Sequence, residues 1–166
     1  MHRLLACLLL LPAYASAAQG TPAETVSALW RALSNEPGMS ADVAQLKRLF
    51  HPDAVVFGVQ YKDGIASMRR TAIDQFLAGQ EKVSGKAFYE CEVARDLHIY
   101  DRFAVGTSVV ESRREKNASK PMLVGINSIQ LYKEGTEWKI LSLHYQVEAS
   151  NLPIPIGEGK SGQCLV

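Results

Sequence analysis

The chain has 166 residues, the length of one ordinary domain, and its 47% hydrophobic and 21% charged residues exclude a disordered chain. Lys and Arg total 18 against 17 Asp and Glu, and Arg3 is the only one of these within residues 1–17, so the remainder balances at zero. A neutral chain has no long-range field for capturing DNA, RNA or an anionic membrane, and a domain of this size folds without a metal or disulfide staple.

Met1-His2-Arg3 gives a positive start, and Leu4 to Leu11 is an unbroken apolar run. Ala15-Ser16-Ala17 fits the small-residue rule of signal peptidase. The run falls short of the roughly 18 apolar residues that a membrane span needs. Residues 1–17 therefore read as a cleaved signal peptide, and the protein as exported, either periplasmic or secreted. That leaves 18–150 as the folded domain and 151–166 as an irregular tail rich in Pro and Gly. Two cysteines remain, Cys91 and Cys164. In an oxidising compartment the pair permits a disulfide; the alternative is a buried free Cys91 and a reactive Cys164.

Thr21-Pro22-Ala23-Glu24 is a capping box with proline at the first helical position. Val26, Leu29, Trp30 and Leu33 then share one helical face, and Asn35-Glu36-Pro37-Gly38 stops the helix. Ser40 is placed to cap a second helix with Val43, Leu46, Leu49 and Phe50 as its apolar stripe. Thr71-x-x-Asp74 opens a short third helix carrying Ile73, Phe76 and Leu77. Between the second and third helices Ala54-Val55-Val56-Phe57 reads as a strand, followed by an Asp63-Gly64 turn. Four β segments follow at 87–99, 102–112, 121–133 and 136–147. Helices early and antiparallel strands late make the fold class α+β.

The final hairpin sorts its own faces. With Glu134-Gly135 as its tip, the opposed pairs are Leu131/Trp138, Ile129/Ile140, Asn127/Ser142, Gly125/His144 and Leu123/Gln146, all on one face. A β-bulge would break this arrangement. The opposite face carries Val124, Ile126, Leu143 and Tyr145, apolar enough to expect a homodimer through this sheet.

Three helices, a strand beginning His51-Pro52-Asp53-Ala54-Val55-Val56, and the closing run Gly125-Ile126-Asn127-Ser128-Ile129-Gln130-Leu131 with Trp138-Lys139-Ile140 resemble the nuclear transport factor 2-like superfamily over about residues 22–148. The superfamily includes SnoaL-like cyclases and ketosteroid isomerase. The resemblance implies three N-terminal helices packed on a curved antiparallel sheet, forming a cone with an internal pocket. Ketosteroid isomerase places a Tyr, a base Asp and a protonated Asp where this chain has Trp30, Gly58 and Asn127. The base is missing, so that catalytic pattern is not kept.

His144 is then the candidate acid–base group, with Asn127 as a possible oxyanion donor. The competing reading of His144 is a core histidine satisfied by its neighbours. Trp30, Phe50, Asn127, Trp138, Ile140, Ser142, His144 and Gln146 form the expected ligand-binding set. The histidines make no HxH or HExxH pattern, so no metal is expected, and no cofactor motif is present. The function expected is binding of a small apolar molecule. The alternatives are a lyase, isomerase or hydrolase using His144, or a dimeric interaction module.

Overall fold

The computed structural model describes residues 20–165. The signal-peptide reading of residues 1–17 lies outside them. Among the described residues no helix is long and apolar enough to cross a membrane.

Helix α1 spans Pro22–Leu33, with Thr21 Oγ1 accepting from the Glu24 N–H at 3.1 Å as the capping box requires. Helix α2 spans Val43–Leu49. Its cap is Asp42, not Ser40: the Asp42 carboxylate accepts from the Gln45 N–H at 2.9 Å. Phe50, expected on the α2 stripe, instead ends that helix and begins strand β1, Phe50–Lys62.

Asp63 and Gly64 both take positive φ, the backbone of a two-residue hairpin turn, and return the chain into β2, Ile65–Ala72. The sequence reading lacked β2, because Ser67, Arg69, Arg70 and Thr71 gave it no apolar alternation. Helix α3, Ile73–Gln80, starts after this strand without a side-chain cap, so Thr71 belongs to β2. The three helices are therefore not all N-terminal to the sheet; the β1–β2 hairpin separates α2 from α3.

Strands β3 (Tyr89–Tyr100), β4 (Phe103–Arg113), β5 (Leu123–Glu134) and β6 (Glu137–Val147) fall within a few residues of the expected segments. All six strands form one sheet in the order β2-β1-β6-β5-β4-β3. Every pairing is antiparallel except β1 with β6, which is parallel. The observed class is α+β, with a mostly antiparallel sheet.

The last hairpin departs from the expected register in two ways. Its loop is Gly135-Thr136, closed by the Glu134/Glu137 pair, so Leu131 faces Ile140. That slip alone keeps the same residues on each face. Beyond it, Leu141 is an extra residue on β6: the register shifts between Gln130/Ser142 and Leu131/Ile140. A bulge reverses the inward–outward alternation of everything after it. Trp138 and Ile140 point inward before the bulge; Leu143 and Tyr145 point inward after it. Asn127 therefore pairs with Tyr145, not Ser142, and Ser128 pairs with His144.

The inner face packs under the helices. Its core joins Val26, Leu29 and Trp30 of α1 to Leu46, Leu49, Val56, Ile129, Leu131, Trp138, Ile140 and Leu143, all at most 4% exposed. The outer face has a smaller cluster, Cys91, Val93 and Val109, covered by Ile154 and Ile156 of the tail. Cys91 and Cys164 are disulfide-bonded with Cα atoms 5.0 Å apart. The tail is tied further by the Leu165 N–H donating to the Glu92 carbonyl at 2.7 Å. Beneath it the Glu111 carboxylate accepts from Arg113 (2.6 Å), the Ser161 hydroxyl (2.6 Å) and the Gly162 N–H (2.8 Å).

Candidate functional site

Between α1, α3 and the inner face lies a chamber of about 260 Å³. Leu33, Phe76, Phe88, Val110, Leu143 and Val147 supply apolar wall, and Trp30, Glu90, Ser112, Asn127 and Tyr145 bring the polar groups. Strand register explains that grouping: Glu90 lies beside Ser112, Ser108 beside Asn127, and Asn127 beside Tyr145 along successive rungs.

Ser34, the C-cap of α1, fixes the helix to the sheet at this point. Its hydroxyl donates to the Trp30 carbonyl and accepts from the Glu90 N–H, both at 2.9 Å. One hydroxyl thus sets Trp30 and Glu90 side by side. Farther along the same interface, Arg95 of β3 donates to the Ala23 carbonyl (2.9 Å) and the Ser27 hydroxyl (2.7 Å) of α1, while pairing with buried Glu92.

The Glu90 carboxyl sits against this apolar wall and accepts one hydrogen bond, from Ser112 Oγ at 2.9 Å. Burial disfavours its charged form more than Ser112 supports it, and its pKa is pushed up to about 7. A carboxyl that exchanges its proton near neutrality can act as donor or acceptor toward a ligand. Trp30 is 4% exposed and its indole N–H has no hydrogen-bond partner among the described residues. Asn127, 5% exposed, donates from Nδ2 to the Ser108 carbonyl at 3.2 Å.

A wider vestibule of about 730 Å³ adjoins this chamber between β1, β2 and α3. Gln60, Phe76, Gln80 and Tyr145 border both spaces. Tyr145 reaches across β1 at Gly58, and a Cβ at that position would collide with the phenol ring. The position where an isomerase-like chain would carry its base is thus occupied by a neighbour's tyrosine.

Only Trp30 and Asn127 of the expected ligand set line the chamber. Phe50, Trp138 and Ile140 are at most 3% exposed and belong to the solid core. Ser142, His144 and Gln146 lie on the outer face, turned there by the Leu141 bulge. Ser142 donates to Gln130 at 2.9 Å, and His144 meets the edge of Phe57 with ring centroids 6.4 Å apart. His144 Nε2 is buried without a partner. The shared cavity expected for Asn127, Ser142 and His144 is therefore not formed. Leu143 and Tyr145, expected outside, face inward.

Sequence reasoning missed Glu90, Ser112, Tyr145, Gln60 and Gln80. The one available signal was Glu90, a carboxylate in an otherwise strand-like run beside Cys91. Alternation alone could not say which of Glu90 and Cys91 faced the helices. Among the described residues no three His, Cys, Asp or Glu side chains group to hold a metal ion.

No protein-family model matches this chain, and no curated protein matches it in sequence. Solved structures do match it in fold. A protein of unknown function with a cystatin-like fold from Nostoc punctiforme aligns at TM-score 0.57 and 14% identity, covering 79% of this chain and 90% of that one. A nuclear transport factor 2-like protein of unknown function from Silicibacter pomeroyi aligns at TM-score 0.52 and 16% identity, covering 76% and 92%. A proposed ketosteroid isomerase from Parabacteroides distasonis aligns at TM-score 0.52 and 15% identity, covering 78% and 89%. Likeness at this identity carries the fold and not the chemistry. The chain has the nuclear transport factor 2-like fold.

Proposed function

We propose that the chamber under α1 binds a small, mainly apolar molecule, and that the protein acts by holding it. The observation that carries this reading is the chamber's make-up: apolar walls on most sides, with Trp30, Glu90, Ser112 and Asn127 meeting at one region. Ligand sites are built this way, and about 260 Å³ suits a molecule somewhat smaller than a typical drug. A ligand acceptor could engage the Trp30 N–H, whose burial without a partner costs roughly 1–3 kcal/mol. Trp138→Phe leaves Trp30 as the sole indole. Ligand extracted from protein purified from its own host should then change Trp30 fluorescence on being added back. Protein that carries no ligand by native mass spectrometry, with a Trp30 signal indifferent to host extract, would reject the reading.

A catalytic reading is favoured by one observation, the Glu90 carboxyl with its pKa near neutrality. Here Glu90, not His144, is the acid–base group of a lyase, isomerase or hydrolase-type reaction. Retained ligand that is consumed on warming by the wild type, and persists in Glu90→Gln, would establish it.

We further infer export, which agrees with a structure that joins Cys91 to Cys164, as oxidising compartments permit. N-terminal sequencing should find Ala18 or Gln19; an intact Met1 would refute it. A homodimer would have to use the part of the outer face the tail leaves open, where Ile126 is 37% and Met68 66% exposed. Ile126→Asp should then shift sedimentation from dimer to monomer, and a wild-type monomer would end the idea.

A further inference from the structure

We propose that the ligand is an amphipathic anion, with its apolar body in the inner chamber and its carboxylate in the vestibule at Arg69 and Lys82. This rests on the reading of the chamber as a binding site and adds the ligand's charge and direction of entry.

Three observations support it. First, the two spaces adjoin, sharing Gln60, Phe76, Gln80 and Tyr145 as lining residues, so an elongated molecule that passes between these side chains would reach both. Second, the chain holds 18 basic against 17 acidic side chains, yet the vestibule lining contains two cations and no carboxylate. Neither Arg69 nor Lys82 has an ion-pair or hydrogen-bond partner among the described residues. Glu81, beside Lys82 in sequence, is engaged instead with Lys47 at 3.7 Å.

Third, the register aims Arg69 at this space: it pairs with Gly58, whose missing side chain admits the Tyr145 ring. A guanidinium presents a planar fork that matches a carboxylate, and a neighbouring ammonium adds a second charge. The inner end is unsuited to the head group. Glu90 would repel an anion whenever it is ionised, and no cation lines the chamber. The charged head therefore stays at the mouth and the apolar body goes in.

Isothermal titration of the purified protein with octanoate, 1-octanol and octylamine at about pH 6, where octanoate is ionised, tests this. Octanoate should bind roughly tenfold more tightly than octanol at low salt, with octylamine weakest, and added salt should shrink the difference. The double variant Arg69→Gln/Lys82→Gln should bring octanoate down to the affinity of octanol. Equal wild-type affinities for octanoate and octanol would overturn the anionic ligand and leave the chamber as a binding site. A preference for octanoate that survives the double variant would overturn the assignment to Arg69 and Lys82. No heat from any of the three probes would overturn the chamber reading along with it.

Discussion

Glu90→Gln should make the protein more stable, and only at the alkaline end of its range. The Glu90 carboxyl has its pKa raised from 4.5 to about 7, first by burial against the chamber wall. At 1.36 kcal/mol per pH unit, that rise corresponds to roughly 3 kcal/mol. The sign follows from proton linkage: the native state holds this proton more tightly than the unfolded chain does. Native stability therefore falls as pH climbs from about 4.5 through about 7, and the full penalty is present above that. Glutamine keeps the shape and an acceptor for Ser112 Oγ but carries no charge. The variant's lead, under about 1 kcal/mol near pH 5, should widen by roughly 2–3 kcal/mol by pH 8. For a chain of this length that is about 4–12 °C in Tm. Urea unfolding of both proteins from pH 5 to pH 8 measures it, and the difference between them cancels every other titrating group. Parallel stability curves, with no widening gap above neutrality, would refute the burial argument for Glu90.

Reducing the Cys91–Cys164 bridge, or replacing Cys164 with Ser, should cost roughly 2–4 kcal/mol in chemical unfolding. Hydrogen exchange should show its largest gain along residues 154–165, where the tail covers Val93 and Val109. Gly58→Ala forces the Tyr145 ring out of the space it occupies and should lower stability by about 1–3 kcal/mol. In combination with Tyr145→Ala the two costs should be less than additive, since the smaller side chain removes the collision. At Glu111, burial raises the carboxyl pKa, but bonds from Ser161, Arg113 and the Gly162 N–H outweigh it and hold the pKa below its ordinary value of 4.5. That stabilisation is complete above the ordinary value and is lost as pH falls through the lower, folded one. Exchange protection of the Gly162 amide should drop there in the wild type, and Glu111→Gln should remove the pH dependence.

Much of the fold was legible because its signals are local. The Thr21-Pro22-x-Glu24 box fixes the start of α1, and the four later strands follow from runs of Val, Ile and Tyr between turn residues. The strand β2 was not legible, since an edge strand carrying Ser67, Arg69 and Arg70 has no apolar alternation to read. The site was harder, because it depends on which way each strand faces. Leu141 has no sequence signature as a bulge, yet its insertion moves His144 and Ser142 to one side of the sheet and Tyr145 to the other. Trp30 and Asn127 were legible because each lies on an element with unbroken periodicity. Glu90 was not, because its role comes from Ser34 and Trp30, far from it in sequence, and from burial that only the packed structure creates.

The parallel seam between β1 and β6 bears on the order in which the molecule assembles. Strands β3 to β6 are joined in sequence by hairpin or short-loop connections, and β1 with β2 by another hairpin. Each block can form from neighbours along the chain. Among the strand pairings, only β1 against β6, with Phe57 beside His144, requires an early segment to meet a late one. Closing so long a loop costs entropy before its contacts repay it, and such pairings form late. In pulse-labelling during refolding, amides between β4 and β5 should gain protection before those between β1 and β6. The chamber borders both blocks, so ligand binding should appear only with the last of these events.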